Sequence, residues 1–221
     1  TALLFSAIKR LGGNPIAAIP NRKKDGYGLN TKMIQQLKKK NINLIITVDN
    51  GVSSTDALEL ANELSIDVIL TDHHTIPDKI PHVHALLHPS TTPTDSPYRV
   101  LAGVGIAYVL ALTLAKSLNN KEAISISRHL FCVGTIADMA PLLGANRAWL
   151  KQGLKDLHRT QCKGLKALQH LSGLGANPLT SREIGFEIAP RINAVGRLGN
   201  PELIIDLLTS EDDNKALDLA R

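Results

Sequence analysis

Two stretches decide the fold: Asn43-Leu44-Ile45-Ile46-Thr47-Val48-Asp49-Asn50-Gly51, and Ile66-Asp67-Val68-Ile69-Leu70-Thr71-Asp72-His73-His74. Each is a short apolar run that ends in a polar or titratable tail. Runs without polar alternation suit strands buried on both faces, as in parallel sheets covered by helices. Between them, Ser53 and Asp56 form a capping-box pattern that opens a helix to about Leu64. Upstream, Leu3, Leu4, Ala7 and Ile8 share one helical face that ends near Gly12-Gly13. A short apolar strand is expected at Ile16–Ile19, a polar loop at Asn21–Asn30, and an amphipathic helix at Thr31–Lys40. Downstream, His84–Leu87 reads as another strand. The alternation predicts an α/β fold, doubly wound around a mainly parallel sheet.

After Val104 the pattern turns helical. Helices are expected at Ile106–Leu118 and Ala123–Ala137, and Leu150, Leu154 and Leu157 form the apolar stripe of a third. Thr180 with Glu183 is a second capping box. Asn200-Pro201 pairs an N-cap with Pro at the first helical position and opens a helix through Leu208. A boundary is expected near Leu143–Asn146. Residues 1–143 then form the α/β domain, and residues 144–221 a helical segment that completes it and leads toward a further domain.

The 221 residues, 43% of them apolar, can bury one large core, and three Phe, three Tyr and one Trp make that core aliphatic. A net charge of +5 permits an anionic partner without demanding one. Cys132 and Cys162 are far apart, which argues against a disulfide scaffold or a cysteine zinc site and fits a reducing, cytoplasmic setting. The longest apolar stretch, Gly103–Ala115, is too short to span a bilayer, and no basic signal region opens the chain.

In open parallel sheets, ligands bind beyond the carboxyl ends of the strands. If the two strands are neighbours, Asp49 meets Asp72-His73-His74 at one edge. A carboxylate beside imidazoles suits a divalent metal; mixed oxygen and nitrogen donors favour Mn²⁺, with Mg²⁺, Co²⁺ or Zn²⁺ possible. Adjacent His on an extended chain point to opposite faces, so one can ligate while the other faces a substrate or a second ion. Two bland readings stand beside this one. Asp49-Asn50-Gly51 is also an ordinary turn, and Asp72-His73-His74 also serves as a helix N-cap with solvated His. His82, His84 and His88 are read as structural. Gly103-Val104-Gly105 lacks the third glycine of a dinucleotide fingerprint.

Val48-Asp49-Asn50-Gly51, Thr71-Asp72-His73-His74 and Gly134-Thr135-Ile136-Ala137-Asp138-Met139-Ala140-Pro141-Leu142, in this order, resemble the second, third and fourth motifs of the DHH phosphoesterases. Gly26-Tyr27-Gly28-Leu29 and the segment Pro190-Arg191-Ile192-Asn193-Ala194-Val195-Gly196-Arg197-Leu198-Gly199 resemble the RecJ-type branch of that family. The resemblance implies a two-metal phosphodiesterase: Asp49 shared by two Mn²⁺ ions, His73 and Asp138 ligating one of them, His74 facing the scissile phosphate, and Asp72 orienting the cluster. It implies 5′→3′ degradation of single-stranded DNA to mononucleotides in recombination and repair, with a single-strand-binding protein and a helicase as possible partners. It also places a first motif, Asp-x-Asp-x-x-Gly, just before Thr1. Without that motif and the family's further domains, the isolated chain is expected to have little activity.

Single-strand binders combine basic grooves with stacking aromatics. Arg22 and Tyr27 would hold the strand by resemblance; the alternative is a solvated loop. Arg191, Asn193 and Arg197 would contact phosphates; the alternative is a set of helix-end ion pairs. Two other classes remain: a sibling that cleaves short RNA or cyclic dinucleotides, and a non-catalytic replication scaffold of the same fold.

Overall fold

The computed structural model describes residues 1–20, 26, 28–175, 177–198 and 200–221, and the side chains of all of these except 196–198. Three parallel strands, β1 (Leu44–Ile46), β2 (Asp67–Thr71) and β3 (Ala85–Leu87), lie in the order β1-β2-β3. The expected apolar runs make these strands, with shorter limits. The ladder continues past β1, since Thr47 N donates to Ile69 O at 3.0 Å and Asp49 N to Thr71 O at 2.9 Å.

Helices α1 (Ala2–Arg10), α2 (Thr31–Lys39) and α3 (Thr55–Glu63) precede or separate these strands. Asn30 caps α2 by accepting from Met33 N at 3.0 Å, and Ile34 and Leu37 turn inward. The Ser53–Asp56 capping box does not form. Ser54 is the N-cap of α3 and makes no side-chain bond, because the chain is still turning at residues 52 and 53.

Residues 16–19 form no strand. They border the outer edge of β1 across a cleft of about 400 Å³, lined by residues 14–18 and 41–48 among others. The cleft separates them from β1, so they lack the ladder partner that a strand requires.

The second half is helical, as expected: α4 (Gly103–Ser117), α5 (Ser125–Ala137), α6 (Gly144–Gly153), which ends before Leu154 and Leu157 of the expected stripe, and α7 (Lys163–Leu171). There follow α8 (Ser181–Glu183), a π-helical stretch (Ile184–Ile188), α9 (Ala189–Leu198), α10 (Glu202–Thr209) and α11 (Asp213–Ala220). The Thr180–Glu183 capping box is present in both directions, with Thr180 N donating to Glu183 Oε2 at 2.7 Å. The N-cap of α10 falls one residue later than expected, at Pro201, while Asn200 Oδ1 accepts from Glu202 N at 3.0 Å.

Among the described residues two large hydrophobic clusters form, beside a small third one of Leu101, Ile106 and Ala145. One packs α2 and α3 on the sheet through Ile34, Leu58, Val68 and Leu70. The other joins α1, α4, α5, α7 and the helices beyond, around Phe131, Leu165, Ile184 and Leu207. β1 and the residues that continue it are common to both: Ile45 is buried in the first, while Ile46 and Val48 pack against the second. The seam between the clusters therefore runs to the end of β1, where Asp49 stands.

Candidate metal centre

Two threonines align the strand ends before any titratable group is reached. Thr71 Oγ1 donates to Thr47 O at 2.7 Å, and Thr71 N donates to Thr47 Oγ1 at 3.2 Å; both residues are buried. With this register fixed, the chain leaves β1 at Asp49 and β2 at Asp72.

Asp49 has φ of +67°, a left-handed conformation that Asp and Asn tolerate better than other side chains. The turn continues through Gly51, φ +120°, where an added Cβ would stand 2.6 Å from Leu70 Cδ2. It delivers Val52 N to Asp72 Oδ2 at 3.1 Å. The Asp-Asn-Gly turn is thus a turn and a site element at once.

Asp72 is 1% exposed. Its Oδ1 accepts from His73 N at 2.8 Å, His74 N at 3.2 Å and His74 Nδ1 at 2.7 Å. Burial acts to raise this carboxyl, yet the bonds from Val52, His74 and His73 hold it below the ordinary range. The bond to a buried carboxylate fixes the His74 ring with Nδ1 as donor, on a side chain that is half exposed.

His73 Nε2 lies 2.9 Å from Asp49 Oδ1. This bond raises the His73 imidazole above its usual range against its own burial, and the charges of Asp49, Asp138 and Asp72 add to the rise. The two His rings are not on opposite faces, as an extended chain would have put them; their centroids are 4.6 Å apart. The strand has ended at Thr71, and Asp72 gathers both following N–H groups, so both rings turn toward the same opening.

Donor atoms of Asp49, His73 and His74 all lie within 4.8 Å of one another. Around a small octahedral cation with bonds near 2.1 Å, ligand atoms are about 3 Å apart when adjacent and about 4.2 Å when opposite. The donor set reaches slightly wider than that, and the three residues could hold such an ion on a small closure. Asp138, the C-cap of α5, lies outside that set but within electrostatic reach. Its carboxyl is pushed up by burial and then by the charge of Asp49, and the two His pull it the other way. The charge repulsion that Asp49 exerts on the Asp138 carboxyl, beside two imidazoles, is what a divalent cation relieves.

Two contacts in this neighbourhood escaped the sequence reading. Gly103 opens α4 against Asp49: an added Cβ would stand 2.5 Å from Asp49 Cβ and 2.6 Å from Cγ. Gly103→Ala is therefore expected to push the carboxylate aside. A tenfold or greater loss of metal affinity, measured by Mn²⁺ titration, is expected on the order-of-magnitude scale for misplaced ligands; unchanged affinity would refute the fit. The second is His88, whose Nε2 reaches His74 O at 2.8 Å.

The expected nucleic-acid contacts are less gathered. Arg22 and Tyr27 lie outside the described residues, as does the side chain of Arg197. Arg191 and Asn193 are exposed and lie on helix α9. Two positions along a helix are about 200° apart, so these two do not form one phosphate clamp. Arg191 Nε instead donates to Glu187 O at 3.0 Å. Among the described residues, no helix is long and apolar enough to cross a membrane.

Residues 1–135 match the family model described as DHH family, N-terminal domain. The single-stranded-DNA-specific exonuclease RecJ of Bacillus subtilis is 38% identical over 220 residues, covering 100% of this chain and 27% of the relative. That of Escherichia coli K12 is 36% identical over 232 residues, covering 100% of this chain and 40% of the relative. A crystal structure of exonuclease RecJ bound to manganese superposes with a TM-score of 0.89 at 34% identity, covering 100% of this chain and 55% of that one. RecJ of Thermus thermophilus in complex with Mn²⁺ gives a TM-score of 0.83 at 32% identity, covering 99% of this chain and 31% of that one. The chain thus spans between about a quarter and just over a half of the proteins it is similar to.

Proposed function

This chain belongs to the DHH family, and from that premise we propose that it is the metal-holding part of an exonuclease that degrades single-stranded DNA from the 5′ end to mononucleotides. The observation that carries the reading is the approach of His73 Nε2 to Asp49 Oδ1 at 2.9 Å, with Asp138 and the half-exposed His74 ring close by, at the carboxyl edge of a parallel sheet. The likeness to RecJ proteins over the full chain supports single-stranded DNA as the substrate.

In this reading Asp49, His73 and Asp138 hold Mn²⁺, or Mg²⁺ in its place, and two ions are expected in the whole protein. When bound, such ions polarise the phosphodiester and lower the pKa of a water that attacks phosphorus. The chain's own part is positional. Asp72 aims the His74 ring, His74 Nε2 faces the scissile phosphate, and Asp49 neutralises a cation that the buried edge could not otherwise hold. Arg22, Tyr27, Arg191, Asn193 and Arg197 are proposed as contacts along the strand, with Arg191 and Asn193 acting separately. Residues 1–143 are proposed as the α/β unit and residues 144–221 as the segment leading to a further domain. The proposed setting is the cytoplasm, with a single-strand-binding protein and a helicase as partners in recombination and repair.

The test offers the whole protein, with Mn²⁺, a long 5′-labelled single-stranded DNA and, separately, a dinucleotide. Labelled mononucleotides from the long strand are expected. Consumption of the dinucleotide alone would move the reading to a short-RNA or cyclic-dinucleotide phosphodiesterase, and silence on both to a non-catalytic scaffold.

A pH dependence follows from His73. A ligand imidazole must be neutral, and the metal-free protein holds the His73 proton above the ordinary value of 6.5. A raised pKa means the proton competes with the metal up to and past that value. Mn²⁺ affinity should therefore climb with pH through 6.5 and level off only above it. Titrations at several pH values between about 6 and 8.5 check this; a flat profile would mean His73 does not ligate.

A further inference from the structure

We propose that His88 is a positioning residue for His74, and that its neutral Nε2–H tautomer is built into the turn that follows β3. This rests on the reading of His74 as a group facing the scissile phosphate.

His88 is 7% exposed and stands directly after Leu87, the last residue of β3. Its Nδ1 receives two contacts from Ser90: the backbone N–H at 3.1 Å and Oγ at 2.8 Å. A backbone N–H can only donate, so Nδ1 carries a lone pair. The proton of the neutral ring is then on Nε2, which lies 2.8 Å from the carbonyl oxygen of His74 and donates to it. The tautomer follows from the neighbours. The 3₁₀ turn Pro89–Thr91 holds the arrangement in place, with Thr91 Oγ1 donating back to His88 O at 2.7 Å.

His74 is thereby gripped at both ends. Asp72 takes its peptide N–H and its ring Nδ1–H, and His88 takes its carbonyl. The ring itself stays half exposed. A half-exposed ring held by one bond pivots about it; a fixed peptide on the other side removes that pivot. Removal of the His88 bond frees the peptide after His74 and spreads the directions in which Nε2 points.

Two conservative variants separate the two sides of the His88 ring. In His88→Gln the amide nitrogen falls near Nε2 and can still donate to His74 O, while the Ser90 contacts are lost. In His88→Asn the side-chain oxygen falls near Nδ1 and can still accept from Ser90 N, while the reach to His74 is lost. The whole protein and these variants, with His88→Ala, are compared by kcat and KM on single-stranded DNA with Mn²⁺, by melting temperature, and by the imidazole ¹H–¹⁵N resonances of His74. A roughly 10- to 100-fold lower kcat is expected in His88→Asn and His88→Ala at little-changed KM, in the range seen when groups behind a ligand or catalytic His are removed. His88→Gln should keep most of kcat yet melt lower. The His74 Nδ1–H resonance should stay in His88→Gln and shift or broaden in His88→Asn. Wild-type kcat in His88→Asn, or a kcat that simply follows melting temperature through the series, would overturn the proposal. If the wild-type protein digests no DNA, the activity reading fails by itself; the His74 resonance then decides the role of His88, a shift in His88→Asn but not in His88→Gln supporting it and no shift overturning it.

Discussion

On the proposed reading, Asp49→Asn should silence the whole protein while leaving it folded. The position has φ of +67°, which Asn adopts as readily as Asp, and the ladder bond from residue 49 N to Thr71 O does not involve the side chain. The change removes one negative charge from a set of donors within 4.8 Å and turns an acceptor into an amide. A metal ion contributes several kcal/mol of transition-state charge stabilisation, so losing a proposed ligand carboxylate should cost on the order of 10³-fold in rate. Asn is the better test than Ala, which would add a left-handed backbone cost of about 1 kcal/mol and blur the result. The measurement is Mn²⁺-dependent hydrolysis of single-stranded DNA beside a melting curve. Retention of a tenth of the wild-type rate would put the metal elsewhere.

Asp72→Ala should be the most damaging change to stability. The carboxylate is 1% exposed and accepts four hydrogen bonds, from Val52 N, His73 N, His74 N and His74 Nδ1. Removing a buried charge from its partners typically costs about 3–5 kcal/mol. The sign of the pH effect is set by the lowered carboxyl: its stabilisation is present above the unfolded value of 3.8 and is lost as pH falls through the folded one. Urea unfolding at about pH 7 should therefore separate wild type from Asp72→Ala by several kcal/mol, and the gap should narrow below pH 3.8. An equal gap at both ends would mean that the loss is one of packing rather than charge.

Local chemistry is what the sequence carried well. The apolar runs before Asp49 and Asp72 state that these residues end buried strands, and a shared edge then follows from the rules of parallel sheets. The Thr180–Glu183 capping box was legible because both partners lie within one turn. Contacts that need two distant segments in register were not. Nothing near Gly103 says that its missing Cβ makes room for Asp49, and nothing near His88 says that its ring will meet the carbonyl of His74. The strand expected at residues 16–19 failed for a related reason: an apolar run becomes a strand only beside a partner, and partners are not a local property. Asp138 came from resemblance alone, since a lone Asp at a helix end carries no signal of its own.

The seam between the two hydrophobic clusters has a thermodynamic consequence. Asp49, His73 and His74 extend from the sheet, while Asp138 ends a helix that belongs to the other cluster. An ion held by both sides would join two cooperative units, and its binding energy would count against the motion that parts them. At a concentration about a hundred times its Kd, a ligand adds about 2.7 kcal/mol to the state that binds it. Amide hydrogen exchange should feel this unevenly: protection would rise first at residues 47–52 and at the end of α5, and last in α10 and α11. The centre would then be a rivet as well as a reaction site.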